Sequence, residues 1–578
     1  MSEHPKRIAI IGAGPAGMIM YKKIVRSKPS NLEVHLFERK NTIGSGMPYS
    51  PEGAGKEHVT NISDNEMEDI VTSVSQWVRT RPAKELLEYG IDPEKYSSST
   101  VLPRLLFGQY LEDQFRMLLK EGAEAGLRTR LFLESPVTDM AWFPEEKEVG
   151  IQVDGKEMTR YDIAIVCSGH NWTSEHEGLV PGYFDSPYPP VKLDRPFNHT
   201  IALRGSSLTA IDAIRTLARA NGQFHRQDDG SVRFIVNESN PDFGLYVHSR
   251  NGLLPAVRFH MEDPLIAKTN MLTKQQIWDY IEANDGFLSL DFMFEKNFKE
   301  NIREKDPQFY DRIKDMDLET FVDAMMELRV RIEPIQLLRA EYAEAQKSLR
   351  RQQSVHWKEM LVVLSYAMNY PAKYLSAEDM QRYQKTLAPL ISIVIASAPQ
   401  SSCQELLALN DAGVLKIIEV GNDSEVIPLS EGGVVYTYRD VNGKEQRHKY
   451  ETFVDCIGQR QLSWDELPFP SLIHDEVISQ AYIRFKSREE GRKCFEEHVD
   501  KVARYPSGEY YLRVPGLAIN DYFQVLDSYG VPNQQIFMMA VPYIGGYNPD
   551  YSGLDFCEEA SERIITKLIG EEARQIVA

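Results

Sequence analysis

The sequence predicts an α/β protein that combines two nucleotide-binding strand–turn–helix units with a helical insertion. An apolar strand ending in G-x-G-x-x-G lies near the start, and a second strand, small-residue turn and helix follow at 201–218. Between residues 261 and 398 apolar residues instead recur every three or four positions, the period of amphipathic helices. Each strand–turn–helix unit is typical of a Rossmann-like dinucleotide-binding domain.

The composition restricts the partners and the compartment. The 85 acidic residues exceed the 65 Lys and Arg, and a net charge of −20 repels phosphate backbones and anionic lipids. We therefore expect neither a nucleic-acid nor a membrane partner. The five cysteines form no C-x-x-C motif, which excludes dithiol–disulfide flavoprotein reductases and zinc sites built from clustered cysteines. The histidines do not have the spacing of a metal site either, so we expect no metal. The early apolar run, 8–11, is too short for a secretory signal, so we expect a cytoplasmic protein.

The first unit has the residues that dinucleotide binding requires. Gly12 allows the tight turn after the strand, Gly14 lets the backbone approach a pyrophosphate, and Gly17 lets the helix pack closely. The helix N-terminus then offers N–H groups and partial positive charge to the phosphates. Glu38 follows on the next strand, where a carboxylate accepts bonds from ribose hydroxyls. A glycine-rich turn beside a surface glutamate is the alternative.

A loop of small residues after Glu38 favours FAD over NAD in this unit, because a plain dehydrogenase would continue with a crossover helix. Two later strands, at 161–170 and 451–460, end in glycine and are predicted to return to the same sheet beside the dinucleotide. Either is also compatible with an ordinary strand-to-loop turn. The predicted FAD-binding residues of these segments are Gly12, Gly14, Pro15, Ala16, Gly17, Glu38, Arg39, Gly46, Gly169 and Gly458.

Seven sequence blocks occur in an order that resembles the FAD-NAD(P)-binding family, two-dinucleotide flavoproteins distantly similar to flavin-dependent monooxygenases and amine N-hydroxylases. The blocks are IAIIGAGPAG, GSGMPYS, HVTNISDNEM, VLPRLLFGQYL, IVCSGH, GSSLTAIDA and HSRNGLLPAVR. The resemblance implies that Asn61 lies near the flavin ring and Arg104 near the FAD dinucleotide; a loop asparagine and a surface arginine are the alternatives. It also implies that Gly553 and Leu554 begin a helix whose N-terminus faces the flavin pyrimidine; a surface turn before a last helix is the alternative.

The second unit departs from the glycine pattern at its middle position. Gly205 provides the turn and Ala210 keeps the helix close, but Ser207 replaces the middle glycine. A serine hydroxyl can donate to a phosphate oxygen, so we expect a functional turn with less room for phosphate. The family resemblance places Ser249 and Arg250 at the 2′-phosphate of NADPH, which a guanidinium suits. The predicted NADPH-binding residues are Gly205, Ser207, Thr209, Ser249 and Arg250.

Arg250 lies roughly 40 residues beyond the turn, where about 20 is usual, and we expect an inserted hairpin between them. The predicted segments are an FAD-binding part at 1–170, an NAD(P)-binding-like part at 171–260, a helical insertion at 261–398, the return of the NAD(P)-like domain at 399–450 and a carboxy-terminal FAD-binding part at 451–578. We expect the insertion to lie over the flavin.

These features predict an FAD-dependent oxidoreductase that uses NADPH and O2 to hydroxylate a small polar substrate, such as an amine or amino acid. The alternatives are a flavoprotein reductase or electron-transfer component without oxygenation, and a nucleotide-binding scaffold without turnover. His58, Asn61 and His170 are the polar residues expected nearest the flavin ring. The sequence assigns no catalytic residue and no oligomeric state.

Overall fold

Two parallel sheets carry the nucleotide-binding units in a computed structural model, which describes residues 5–28, 31–170, 172, 174–262, 271–549 and 553–570. The first elements are β1 (Lys6–Ile11), α1 (Pro15–Arg26), β2 (Leu32–Phe37), β3 (Val59–Ser63), α2 (Val74–Thr80), α3 (Ala83–Glu88), β4 (Val101–Pro103), α4 (Arg104–Glu124), β5 (Arg128–Phe132), β6 (Val137–Phe143), β7 (Glu148–Val153), β8 (Thr159–Tyr161) and β9 (Ile163–Val166). β1 and β9 bury continuous apolar runs, as strands covered on both faces by helices do.

The second unit begins after residue 182. Its first elements are β10 (Tyr183–Phe184), β11 (Thr200–Arg204), α5 (Leu208–Asn221), β12 (Gly222–Arg226), β13 (Val232–Val236) and β14 (Gly244–Ser249). β12 and β13 form an antiparallel pair, so the expected hairpin between the turn and Arg250 is confirmed. The inserted hairpin lengthens the crossover without disturbing the parallel pairing of β11 with β14.

A helical region separates the two parts of the second unit. It consists of α6 (Lys274–Ala283), α7 (Leu290–Phe294), α8 (Glu300–Lys305), α9 (Pro307–Ile313), α10 (Leu318–Val330), α11 (Pro334–Arg351), α12 (His356–Met368), α13 (Ala377–Arg382) and α14 (Ala388–Val394), with π-helical turns at Glu295–Lys299 and Tyr383–Leu387. Most of these helices pack around one apolar core, to which residues between 481 and 514 also contribute. Among the described residues no helix is both long and apolar enough to cross a membrane.

The remaining elements complete both sheets. They are α15 (Gln400–Asp411), β15 (Leu415–Glu419), β16 (Glu425–Pro428), β17 (Val434–Arg439), β18 (Glu445–Tyr450), β19 (Thr452–Asp455), α16 (Pro470–His474), β20 (Gln480–Arg484), α17 (Arg488–Glu497), β21 (Val502–Arg504), β22 (Tyr510–Leu517), β23 (Gln524–Leu526), β24 (Pro532–Met538) and α18 (Gly553–Ile569). The strand order is β23-β24-β9-β1-β2-β5 in the first sheet and β10-β19-β11-β14-β15 in the second.

The carboxy-terminal part departs from the prediction in two places. The expectation that residues 451–460 return to the first sheet is wrong, because β19 pairs in parallel with β11 of the second sheet. An apolar strand that ends in glycine suits either sheet, and β24 takes the place beside β9 instead. The antiparallel sheet of β20, β22 and β21 packs mostly into the helical core, and only Leu517 at the end of β22 lies in the core of the FAD-binding unit. The other segment boundaries stay predictions.

Candidate functional site

Strand β1 of the first sheet and strand β11 of the second end in the same glycine turn. Gly12 has φ +102° and Gly205 has φ +101°. Residues other than glycine adopt such positive φ angles only with strain. A Cβ atom at Gly12 would lie 2.8 Å from the carbonyl oxygen of Cys167, and one at Gly205 would lie 2.8 Å from that of Cys456. The backbone therefore requires glycine at both positions.

The helix after each turn presents an N-terminus that no side chain caps. Gly14 is the N-cap of α1 with φ −77° and ψ −164°, and Ser207 is the N-cap of α5 with φ −85° and ψ −167°. Neither helix has an acidic residue in its first turn. Both N-termini are therefore open to an anionic group, which the backbone N–H groups and the helix dipole favour. The extended backbone of Ser207 accommodates a side chain without strain.

The first site fits the pyrophosphate and ribose of FAD. Gly14 and Gly46 lie back to back, and a Cβ atom at Gly14 would be 3.3 Å from the Cα atom of Gly46. Glu38 is only 8% exposed at the end of β2. Its carboxylate accepts bonds from the backbone N–H groups of Ala13, at 2.9 Å, and Lys40, at 3.1 Å. A carboxylate fixed in this way keeps lone pairs for ribose hydroxyls.

The other residues predicted around FAD lie in varied surroundings. Arg39 is 58% exposed at its side chain and lies 3.9 Å from Glu52. Asn61 is exposed on β3, and its carbonyl oxygen accepts a bond from Arg258. Gly169 is exposed, with no protein atom within 4 Å of an added Cβ atom. Their contacts with FAD, like those of Pro15 and Ala16 at the start of α1, stay predictions.

Helix α18 begins at Gly553, which has φ +52°, and Leu554 in its first turn is buried. The hydroxyl of Tyr366 on α12 donates to the Asp555 carboxylate at 2.5 Å. The helical region thus contacts the first turn of α18, the helix that the sequence analysis assigns to the flavin pyrimidine. That assignment stays a prediction.

Arg104 joins the two nucleotide-binding units. Its guanidinium donates to Asp212 of α5 at 2.6 Å and to the carbonyl oxygen of Val59 at 3.2 Å. The hydroxyl of Tyr188 donates to the same carboxylate at 2.7 Å. Burial acts to raise the pKa of Asp212, but the charge of Arg104, together with His58, Arg215 and the Tyr188 hydroxyl, outweighs burial and holds that pKa below its usual value. The alternative of a surface arginine is wrong, and a contact with FAD stays a prediction.

Two histidines lie at the same junction. His58 is buried, and its Nε2 atom lies 3.1 Å from both the carbonyl oxygen of Asp212 and the hydroxyl of Thr216. Burial lowers the pKa of His58 and also that of His170. The Nδ1 atom of His170 lies 2.5 Å from the side-chain oxygen of Gln459. The two nucleotide units therefore meet through polar side chains.

Sequence reasoning missed three of these junction residues: Tyr188, Asp212 and Gln459. A short repeat could have indicated Gln459, because Cys167 precedes His170 by the same spacing that separates Cys456 from Gln459. No pattern in the sequence indicates that Asp212 meets Arg104.

The second site is a cavity of about 510 Å³ at the carboxyl ends of β11, β14, β15 and β19. This volume lies within the range of small-molecule sites. Gly205, Ser207, Ser249 and Arg250 all line it. Ser249 is buried, and its hydroxyl oxygen lies 2.9 Å from that of Ser206. The structure thus brings four of the five predicted NADPH-binding residues together.

Arg250 is exposed to the cavity, and its guanidinium makes no ion pair with any residue in the described ranges. Thr209 lies just outside the lining, 3.8 Å from an added Cβ atom at Gly458. Gly458 therefore lies beside the second site, on the loop after β19, and its contact with FAD stays a prediction. The described part of the chain has no group of three or more His, Cys, Asp or Glu residues that could hold a metal ion.

Two family models match the chain. Residues 9–171 match the FAD-NAD(P)-binding model, and residues 273–395 match the YdhS-like middle domain. Residues 9–171 are therefore an FAD-NAD(P)-binding domain, and the chain is a flavoprotein. This flavoprotein is an oxidoreductase with FAD and NADPH as cofactors, as the sequence predicts.

The chain is also similar to curated proteins and to a solved structure. The flavoprotein is 27% identical over 469 residues to the uncharacterized protein YdhS of Escherichia coli (strain K12), covering 81% of this chain and 86% of that one. It is 24% identical over 259 residues to the flavin-containing monooxygenase FMO GS-OX3 of Arabidopsis thaliana, covering 42% and 54%. The L-lysine 6-monooxygenase structure from Pseudomonas syringae has TM-score 0.50 and 12% identity, covering 99% and 100% of the chains. The predicted fold class is confirmed.

Proposed function

We propose that this flavoprotein is an NADPH-dependent monooxygenase that hydroxylates a small polar substrate such as an amine or amino acid. The observation that carries the proposal is the junction of the two nucleotide units. His170 and Gln459 occupy equivalent places after β9 and β19, and their side chains contact each other. Because the loops after these strands adjoin both nucleotide turns, the two dinucleotides would approach each other there.

The chain's own residues have binding and orienting roles in this reaction. The N-terminus of α1 holds the FAD pyrophosphate and Glu38 holds its ribose, while Ser249 and Arg250 hold the 2′-phosphate of NADPH. The Arg104–Asp212 ion pair fixes the second unit against the first. FAD, when bound, supplies the redox chemistry by accepting hydride from NADPH and passing electrons to O2.

The cysteines give no support for electron transfer through a dithiol of this chain. All five are free, and only Cys494 is not buried. Burial raises the pKa of the Cys167 and Cys456 thiols, which keeps them protonated and poorly reactive. The names of the Arabidopsis relative and the Pseudomonas structure add support for a monooxygenase and for an amine substrate.

The alternative without oxygenation predicts a different fate for the electrons. Purified protein loaded with FAD should be reduced anaerobically by NADPH and then mixed with O2 and a panel of amines and amino acids. We expect at least one compound to gain one oxygen atom, detected by mass spectrometry, while it suppresses release of hydrogen peroxide. Reoxidation that releases one peroxide per flavin with every compound would contradict the monooxygenase and favour the reductase or electron-transfer alternative.

A further inference from the structure

The outer wall of the NADPH cavity comes from the helical region. Pro389, Ser392 and Ile393 of α14 line the cavity together with Gly205 and Arg250 of the second unit. All three wall residues lie within the segment that matches the YdhS-like middle domain. A plain strand–turn–helix unit has no counterpart of this wall.

Hydrogen bonds hold α14 against the phosphate-binding turn. The Ser206 hydroxyl donates to the carbonyl oxygen of Leu253 at 2.6 Å, which fixes the loop after β14. Three residues later, the N–H group of Ala256 donates to the carbonyl oxygen of Ile393 at 2.8 Å, and Ala256 accepts a bond from Ala398 at 2.8 Å. A continuous path of backbone and hydrogen bonds therefore joins the turn to the wall.

The chemistry of the wall suits a nucleotide. Pro389 and Ile393 are half-buried and offer apolar surface to a base or a ribose, whereas Ser392 is exposed and offers a hydroxyl. None of the three is acidic, although the chain as a whole carries a net charge of −20. A carboxylate at this wall would repel the phosphates that Arg250 attracts.

We propose that the helical insertion is part of the NADPH site, with α14 covering the bound nucleotide and Ser392 facing its phosphates opposite Arg250. The insertion then determines affinity for the nicotinamide nucleotide, in addition to any role over the flavin. This inference concerns the nucleotide and does not depend on which substrate is oxidised.

A pair of charge variants tests the wall directly. Ser392→Glu adds one negative charge at the cavity, and Gln384→Glu adds the same charge at an exposed residue of the preceding π-helical turn that does not line it. Calorimetric titration of the FAD-loaded protein with NADP+ measures binding without turnover. We expect Ser392→Glu to weaken NADP+ binding about tenfold, equivalent to about 1.4 kcal/mol, and Gln384→Glu to change it less than about twofold.

The opposite charge should reverse the effect. We expect Ser392→Arg to strengthen NADP+ binding about threefold or more, with a smaller change for NAD+, which lacks the 2′-phosphate. Equal affinities for all three variants and the parent protein would overturn the proposal, as would equal weakening by the two glutamate variants. FAD content and the thermal unfolding midpoint, measured on each variant, separate a local charge effect from misfolding.

Failure of the two proposals would be distinguishable. If charge at Ser392 controls NADP+ affinity but no compound is hydroxylated, only the proposed reaction is contradicted. If a hydroxylated product forms but NADP+ affinity does not respond to charge at Ser392, only the proposed wall is contradicted.

Discussion

Gly12 and Gly205 occupy the same place in the two nucleotide-binding units, and the backbone around them follows the same hydrogen-bonding pattern. The N–H group of Gly12 donates to the carbonyl oxygen of Phe37 at 2.8 Å, and that of Gly205 donates to His248 at 2.9 Å. The N–H group of Cys167 donates to the carbonyl oxygen of Ile11 at the end of β1, and that of Cys456 donates to the carbonyl oxygen of Arg204 at the end of β11, both at 2.8 Å. The two units therefore share a backbone frame.

The side chains at the nucleotide differ where the second strand ends. Glu38 follows Phe37 in the first unit, and Ser249 follows His248 in the second. A carboxylate suits the ribose hydroxyls of FAD but would repel a 2′-phosphate, whereas a small hydroxyl followed by Arg250 accepts one. The comparison predicts that one backbone frame binds two different dinucleotides, and that the residues at the end of the second strand decide which.

The largest effect is expected from adding a side chain at Gly14, in the glycine turn of the first unit. Gly14→Val should abolish FAD retention, because its Cβ atom would lie 3.3 Å from Gly46 and its methyl groups would fill the pyrophosphate passage. The ratio of visible to ultraviolet absorbance of purified protein measures this. The equivalent change in the second unit, Ser207→Val, should leave FAD bound, since that backbone already carries a side chain. Full flavin content in Gly14→Val would show that the dinucleotide does not cross this turn.

The next largest effect is expected at Arg250 of the second unit, compared with Arg39 of the first. Arg250→Ala should weaken NADPH binding by about 1.5–3 kcal/mol, or roughly 10- to 150-fold, and largely spare NADH, because only NADPH offers the charge-assisted bonds. Arg39→Ala is the matched change in the first unit; because its side chain is 58% exposed, we expect a loss of FAD affinity smaller than the loss of NADPH affinity in Arg250→Ala. Michaelis constants for both nucleotides measure the difference, and unchanged NADPH kinetics would remove Arg250 from the site.

His248 and Phe37 occupy equivalent places in the two units. Because only the histidine can be protonated, it should make stability depend on pH. His248 is 1% exposed, and burial lowers its pKa from 6.5 to about 4. The folded state therefore resists protonation, so stability is full above pH 6.5 and falls as the pH drops toward 4. Lowering the pH from about 8 to about 5 should therefore reduce the free energy of unfolding by roughly 2 kcal/mol through this histidine alone.

His248→Phe copies the residue of the first unit and removes that titration. Its unfolding free energy, from denaturant titration at the two pH values, should fall by roughly 2 kcal/mol less than that of the parent protein. The variant loses bonds to Tyr450 and Leu203, which lowers its stability at both pH values and leaves the comparison intact. An identical fall in both proteins would show that His248 does not resist protonation.

The smallest effect should come from restoring glycine to the second turn. Ser207→Gly removes a hydroxyl that can donate to phosphate but gives the backbone more room, and these effects oppose each other. We expect the dissociation constant of NADP+ to change less than about threefold. A change above about tenfold in either direction would show that the serine either carries the phosphate contact or obstructs it.

The local parts of both sites were predictable from the sequence. The tight turn, the helix N-terminus and the close helix packing depend on residues within a few positions of Gly12 or Gly205, so their sterics are visible in the sequence. The helical insertion was predictable for the same reason, because its apolar period is a local property.

The assembly of the units was not predictable, because it depends on residues far apart in the chain. The sequence 452–455 suits a buried strand in either sheet, and only the packed structure shows that it pairs with 201–204. The ion pair of Arg104 with Asp212 joins helices of different units. Helix α14 lines the NADPH cavity although it belongs to the helical region, most of which packs around a different core. No local pattern specifies such contacts.

Anaerobic titration of the FAD-loaded protein with NADPH tests the central claim most directly, since the claim is that both units bind dinucleotides and meet at one junction. We expect the visible absorbance of oxidised flavin in the parent protein to be bleached by one NADPH per flavin. A folded parent protein that retains FAD and binds NADP+ but keeps its full flavin absorbance with excess NADPH would contradict the account.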